Sequence, residues 1–246
     1  MIIKVLVFLL QIIFLQVAIA SSGDTKLLDA RIDLGKRNSL QRGAQTFFNY
    51  CVGCHSIKYM RYNRIARDLG LGEDIVKKNF MFASEKVGDN VKIAMGSEEA
   101  EKWFGVAPPD LSVISRVRGQ DWLYSFLNGF YMDGDRPTGV NNLYFPQTAM
   151  PHVLWGLQGY QRLVVNKEDT HDGGGILSNH FETVVEGKLT SSEYKAMTRD
   201  LVAFLVYVGE PARLVRYQIG FWVIAFLFLL FIFAYLTKKE YWKDVH

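Results

Sequence analysis

The sequence predicts a mainly α-helical fold with long irregular loops and a single C-terminal transmembrane helix. Three observations lead to this fold class. Several segments place apolar residues at three- and four-residue spacing, which is the helical period. The region from about Asp133 to Gly187 is instead rich in Gly, Pro, Asn and Asp, a composition typical of loops with short strands. Near the C-terminus, the 18 residues from Ile219 to Leu236 contain no charged side chain.

The clearest helix before the C-terminal stretch is predicted over residues 190–209. It opens on a capping box, Thr190-Ser191-Ser192-Glu193, and it stops at Gly209 with Pro211 just beyond. Four residues form its apolar stripe: Leu201, Phe204, Leu205 and Val208.

Two further helices are predicted on either side of a cysteine-containing motif. The first is capped by Asn38-Ser39 and runs through Phe48, and Gly43 on it permits close contact with another helix. The second covers Ile57 to Leu69 and ends at Gly70.

The N-terminal residues 1–20 have the parts of a secretory signal peptide. Lys4 precedes an apolar run, which ends in the small-residue site Ala18-Ile19-Ala20. An uncleaved N-terminal anchor is the alternative. Both interpretations place the residues that follow outside the cytoplasm.

The C-terminal apolar stretch predicts a transmembrane helix over residues 217–237. At the helical rise, the 18 uncharged residues from Ile219 to Leu236 would span roughly 27 Å, close to a hydrocarbon core of about 30 Å. With an exported N-terminus, residues 21–212 would form a periplasmic domain and residues 238–246 a cytoplasmic tail. The net charge of +3 gives no overall bias towards nucleic acid as a partner.

The two cysteines both lie in Cys51-Val52-Gly53-Cys54-His55. A disulfide within this motif would close only a very short loop, and a zinc site would need a second pair of ligands at suitable spacing. A thioredoxin-type dithiol would need a βαβ context, which the helical pattern around the motif does not supply. The remaining interpretation is covalent attachment of one c-type haem through Cys51 and Cys54, with His55 as an axial ligand of the iron.

A second axial ligand would decide whether the iron serves electron transfer or remains open for catalysis. Met150 is favoured because it lies far along the chain in an irregular stretch, braced by Pro146 and Pro151. His152 is the alternative ligand, two residues away.

The segment Ala107-Pro108-Pro109-Asp110-Leu111-Ser112 is expected to be rigid and to form a wall against the haem edge. Asp110 or Ser112 would then cap a helix that runs to Arg118. Arg116 and Arg118 are both candidates for binding a haem propionate, because a guanidinium is the natural partner of a carboxylate.

With these residues in view, the chain closely resembles the cytochrome c1 family from about residue 25 to residue 246. The resemblance is carried by Tyr50-Cys51-Val52-Gly53-Cys54-His55-Ser56, Lys58-Tyr59-Met60-Arg61-Tyr62, Ala107-Pro108-Pro109-Asp110-Leu111-Ser112, Arg116-Val117-Arg118-Gly119, Ala149-Met150-Pro151, Glu210-Pro211 and Lys239-Glu240-Tyr241-Trp242-Lys243-Asp244-Val245-His246.

The resemblance implies a cytochrome c-like domain with one haem c. It implies thioether bonds at Cys51 and Cys54 and iron ligation by His55 and Met150. It also assigns Arg118 to a propionate and places Trp122 beside it, where the family commonly has Tyr; Pro109 belongs to the same haem-side set.

The resemblance further implies a bacterial inner-membrane subunit of quinol:cytochrome c reductase, the cytochrome bc1 complex. Such a subunit takes one electron from a Rieske iron–sulfur protein and passes it to a cytochrome c. It stands beside cytochrome b in a dimeric complex and catalyses no bond-forming reaction itself. The alternatives are a cytochrome c subunit of a terminal oxidase, an enzyme with an open haem such as a peroxidase, and a protein that only anchors partners.

Overall fold

The computed structural model describes residues 26–169 and 175–243, so the predicted signal peptide lies outside the described residues. The helices in this part of the chain are α1 (Arg37–Tyr50), α2 (Tyr62–Leu69), α3 (Glu73–Phe80), α4 (Ser97–Phe104), α5 (Ile114–Arg118), α6 (Gln120–Asn128), α7 (Trp155–Gln158), α8 (Ser191–Gly209) and α9 (Arg213–Tyr241). The strands are β1 (Ile57–Arg61), β2 (Asn90–Val91), β3 (Phe130–Met132), β4 (Val140–Asn142), β5 (Gly159–Asp169) and β6 (Gly175–Glu186). The predicted fold class, mainly α with one C-terminal membrane helix, is confirmed.

The core is built on the contact between α1 and α8. A Cβ on Gly43 would collide with the backbone carbonyl of Asp200, so this glycine allows the two helices to approach closely, as predicted. Phe47 of α1 packs on Phe204 of α8 with ring centroids 5.6 Å apart, and both side chains are fully buried. The Asp200 carboxylate also accepts a hydrogen bond from Arg42 Nε at 2.6 Å.

Replacing Gly43 by alanine should destabilise the fold, because the added methyl group would displace one helix from the other. Overpacking of this kind typically costs about 1–3 kcal/mol. The thermal midpoint of the purified full-length chain in detergent is the measurement. Gly88→Ala is the control, since a Cβ there would meet nothing within 4 Å. Equal midpoints for the two variants would contradict this account of the helix contact.

The start of α1 differs from the prediction. The helix begins at Arg37 and its N-cap residue is Lys36, with no capping hydrogen bond from a side chain. Ser39 therefore lies within the first helical turn, where it is buried and donates its hydroxyl hydrogen to Asp200. The expected cap at Asn38-Ser39 was wrong because a long-range partner on α8 takes up the hydroxyl group.

The predictions for α8 are confirmed. Glu193 N donates to Thr190 Oγ1 at 3.4 Å, and Thr190 N donates to Glu193 Oε2 at 2.9 Å, so the capping box is complete. The helix ends at Gly209. The four residues of its predicted apolar stripe are all buried.

The predicted helix over residues 57–69 was right only in its second half. Ile57–Arg61 is a strand that pairs with Asn90–Val91, and the helix starts at Tyr62. It ends at Gly70, which has the left-handed φ of 65° expected of a helix C-terminus. The strand depends on partners 29 to 34 residues away, which the local apolar spacing does not reveal.

The region predicted to be loop with short strands contains a long antiparallel hairpin. Strands β5 and β6 pair from Gly159 opposite Glu186 to Asp169 opposite Gly175. Many of the hairpin side chains are exposed, Val165 and Val184 among them. With so much of it outside the core, the hairpin lacks the alternation of apolar and polar residues by which a strand is recognised.

Helix α9 begins at Arg213 and continues to Tyr241. Leu214 in its first turn packs against the core, whereas every side chain from Phe221 to Tyr241 is exposed. Residues 219–241 are long and apolar enough to cross a membrane. A continuous apolar surface of this size on a single helix is explained by contact with lipid.

Candidate haem-binding site

The cysteine motif continues the last turn of α1. Cys51 N donates to Phe47 O at 2.8 Å, and the N–H groups of Cys54 and His55 both donate to Cys51 O, at 3.1 and 2.9 Å. This compact turn holds both thiols and the imidazole within five residues. Both cysteines are free thiols, and burial raises the pKa of the Cys51 thiol to about 12.

The imidazole of His55 is oriented by a backbone carbonyl. Its Nδ1 lies 2.7 Å from Pro109 O, which can only accept a hydrogen bond, so Nδ1 carries the hydrogen. The tautomer that follows leaves the lone pair on Nε2. Burial also lowers the pKa of His55, which favours the neutral ring that a metal requires. A ligating histidine commonly donates its other N–H to a carbonyl in this way.

The segment that supplies this carbonyl is fastened to the residues that follow His55. Leu111 N donates to Ser56 O at 2.8 Å, and Lys58 N donates to Asp110 Oδ2 at 3.0 Å. Tyr59 N donates to Ser112 Oγ at 3.1 Å. Backbone and side-chain bonds together therefore fix Pro109 relative to the histidine.

These bonds correct the predicted role of Asp110 and Ser112. Neither side chain caps the following helix, which begins at Ile114 after the N-cap residue Val113. Pro109, which was expected only to pack against the haem edge, has a specific partner in the structure. Its carbonyl oxygen contacts the imidazole of His55. A rigid Pro-Pro segment can be recognised in the sequence, but its contact with His55 can be seen only in the structure.

Arg118 and Trp122, which the resemblance paired, lie together. The guanidinium carbon of Arg118 is 4.9 Å from the Trp122 ring centroid and 5.6 Å from that of Phe145. Trp122 in turn stacks on Phe126, with centroids 5.2 Å apart and ring planes 9° apart. Arg118 is exposed, and within the described residues no carboxylate forms an ion pair with it. Its charge is therefore available to an anionic group held against these rings.

Met150 lies on the loop of residues 143–154 between β4 and α7, here called the Met150 loop. The same loop carries Phe145, whose ring lies against the Arg118 guanidinium. The side chain of Met150 is partly buried against the core, and its N–H donates to Thr148 Oγ1 at 3.3 Å. The other candidate ligand, His152, is buried and stacks on Phe130 with centroids 4.9 Å apart and planes 6° apart. Burial lowers the pKa of His152 to about 4. Its ring is part of the packing around β3, and its Nε2 is a buried atom.

The residues present fit a c-type haem. Such a cofactor needs two thiols, a neutral imidazole in a defined tautomer, a thioether on a separate loop and an exposed guanidinium. The structure places the cysteines and His55 in one turn, joins His55 to Pro109, and joins Arg118 and Trp122 to the Met150 loop through Phe145. Two features were missed by sequence reasoning. One is the carbonyl partner of His55, and the other is the pair Asn141 and Asn142, whose side chains accept hydrogen bonds from backbone N–H groups of the Met150 loop.

Comparison with known proteins shows the family of the chain. A sequence profile of the Cytochrome C1 family matches residues 32–102 and 84–245. Cytochrome c1 of Allochromatium vinosum is 52% identical over 229 residues, which cover 93% of each chain. The ammonia monooxygenase gamma subunit of Nitrosomonas europaea is 44% identical over 245 residues, covering 99% of this chain and 100% of that one. Cytochrome b/c1 of Bradyrhizobium diazoefficiens is 25% identical over 85% of this chain but only 34% of its own length. The chain therefore belongs to the Cytochrome C1 family.

Proposed function

We propose that this chain is the one-electron-transfer subunit of a quinol:cytochrome c reductase. It would accept electrons from a Rieske iron–sulfur protein and pass them through a covalently bound haem c to a cytochrome c. The observation that carries the proposal is the bond from His55 Nδ1 to Pro109 O, beside the free thiols of Cys51 and Cys54. It presents a neutral, oriented imidazole where the motif requires one.

A haem held here would supply a one-electron iron couple. Cys51 and Cys54 would bind it covalently, and His55 Nε2 and the Met150 thioether would be its axial ligands. The Pro109 carbonyl fixes the rotation of the imidazole and increases its basicity. A thioether as the second ligand raises the reduction potential relative to two histidines. It would also fill the sixth coordination position, which suits a relay rather than an open catalytic iron.

Arg118 is proposed to compensate a haem propionate. Replacing it by alanine should lower the haem reduction potential, because loss of a nearby positive charge stabilises the oxidised, more positive iron. The expected shift is roughly 60 mV, which for one electron is a factor of ten in the redox equilibrium. Arg116→Ala is the matched control, since Arg116 is also an exposed residue of α5. A redox titration in which the two variants shift equally would refute the assignment.

The membrane arrangement is also a proposal. Helix α9 would span the inner membrane once, with the haem domain of residues 21–212 in the periplasm and residues 238–246 in the cytoplasm. Removal of residues 1–20 as a signal peptide would accompany export. Leu214 packs the first turn of α9 against the domain core, which supports a direct connection between the domain and the membrane helix.

The proposed partners are cytochrome b, the Rieske protein and a cytochrome c acceptor, in a dimeric complex. The relative from Bradyrhizobium diazoefficiens, named cytochrome b/c1, supports the first of these, because this chain matches 34% of its length. The chain has no overall charge bias that would indicate nucleic acid.

A second candidate comes from the relative named ammonia monooxygenase gamma subunit, which aligns over its full length. The same haem domain could serve as a subunit of that kind of oxidising complex. The two assemblies differ in their partner subunits, so the partners identify the function.

Purification through an affinity tag on this chain tests the proposal. Co-purification of b-type haem and a [2Fe–2S] protein is the expected result. Co-purification of monooxygenase subunits would favour the second candidate, while copper together with high-spin haem would indicate an oxidase. Recovery of the chain without covalent haem would contradict all of the electron-transfer candidates.

A further inference from the structure

Asn142 ties the beginning of the Met150 loop to helix α6. This asparagine is fully buried at the end of β4. Its Nδ2 donates to Phe126 O at 2.8 Å, and its Oδ1 accepts from Tyr144 N at 2.9 Å and from Phe145 N at 3.2 Å. A single carboxamide therefore binds three backbone groups where the chain leaves the strand.

Asn141 binds the same loop further along, at Gln147. Its Oδ1 accepts from Gln147 N at 2.8 Å, and its Nδ2 donates to Asp133 Oδ2 at 2.8 Å. Gln147 has a left-handed φ of 61°, which a residue with a Cβ rarely adopts without support. Arg136 Nη2 holds its carbonyl oxygen at 3.1 Å. The backbone reversal three residues before Met150 is thus held from both sides.

The loop has no regular secondary structure, so these side chains replace the ladder of backbone bonds that a strand would have. Leu143 N donates to Gly129 O at 2.9 Å and completes the series at the start of the loop. Removing a carboxamide would leave backbone N–H groups without acceptors and would let the loop take other paths.

We propose that Asn141 and Asn142 are positioning residues for Met150. Their carboxamides hold the loop in one course, so that the thioether reaches the iron without the loop having to become ordered as it binds. The inference rests on the proposed role of Met150 as the second axial ligand. It adds the residues on which the position of that ligand depends.

The test is Asn142→Ala in the full-length, haem-loaded chain, purified within its complex. Carbon monoxide added to the reduced protein is the probe, because it binds only where the sixth position opens. We expect binding to increase roughly tenfold over wild type as the loop bonds are lost, together with a lower haem potential. Asn128→Ala is the matched control: Asn128 is also buried, but its Nδ2 donates to Tyr124 O and Thr198 Oγ1.

Met150→Leu, measured beside these variants, distinguishes failure of the positioning role from failure of the ligand assignment. If it binds carbon monoxide readily while Asn142→Ala and Asn128→Ala both behave as wild type, the positioning role is wrong and the ligand assignment stands. If Met150→Leu itself does not bind carbon monoxide, the ligand assignment fails. Should Asn142→Ala not accumulate with haem, Asn141→Ala is compared in its place. Failure of both variants would show a general folding role and would overturn the proposal.

Discussion

Replacing Met150 by leucine should leave the haem attached but lower its reduction potential and stop turnover of the complex. Leucine has a similar size but no donor atom. Under the proposed ligation the iron would therefore lose the Met150 sulfur, while the covalent bonds to Cys51 and Cys54 would remain. The potential should fall by on the order of 100 mV or more, within the roughly 0.8 V range that axial ligands control in haem proteins. Redox titration of the purified complex measures it.

The matched control for this variant is Met197→Leu, on helix α8. Met197 is also a partly buried methionine packed against the core, so its replacement tests the effect of losing a thioether elsewhere. It should leave the potential unchanged. A normal potential in Met150→Leu would exclude Met150 as a ligand and would return attention to His152.

Replacing both Cys51 and Cys54 by serine should abolish covalent haem attachment. A serine hydroxyl does not form the thioether bond, and both cysteines of the chain would then be gone. Haem-stained denaturing gels should show no haem on the double variant, and the complex should lack quinol-dependent cytochrome c reduction. This is the largest expected effect, because the cofactor itself would be missing.

The Met150→Leu chain is the control for that gel, since it should keep its haem through denaturation. The single variants Cys51→Ser and Cys54→Ser each retain one thiol and separate the two bonds. Haem that still migrated with the double variant would disprove thioether attachment at this motif.

The helices could be predicted where their signals are local. The capping box at Thr190, the stop at Gly70 and the close-contact glycine at Gly43 all depend on residues within a turn or on steric size. The strand Ile57–Arg61 and the hairpin from Gly159 to Glu186 could not, because their stability comes from pairing with distant strands. Ser39 shows the same limit, since Asp200 takes the role that a local cap would have had.

The candidate site was likewise predictable only where its signals are local. The spacing of Cys51, Cys54 and His55 indicates haem attachment directly, because it places three reactive groups in one turn. The partner of His55 is a backbone carbonyl 54 residues away, and no side-chain pattern marks such a carbonyl. Adjacent asparagines in an irregular segment are a signal of side-chain to backbone bonding, but the groups they bind can be named only from the structure.

The most direct test of the central claim is the response of this haem to quinol in the purified complex. Absorbance of the reduced c-type haem is followed after a short-chain quinol is added, and then after an excess of oxidised cytochrome c. The account predicts rapid reduction of the haem by quinol, followed by its reoxidation as cytochrome c becomes reduced. A haem that stayed oxidised while the complex passed electrons from quinol to cytochrome c would contradict it.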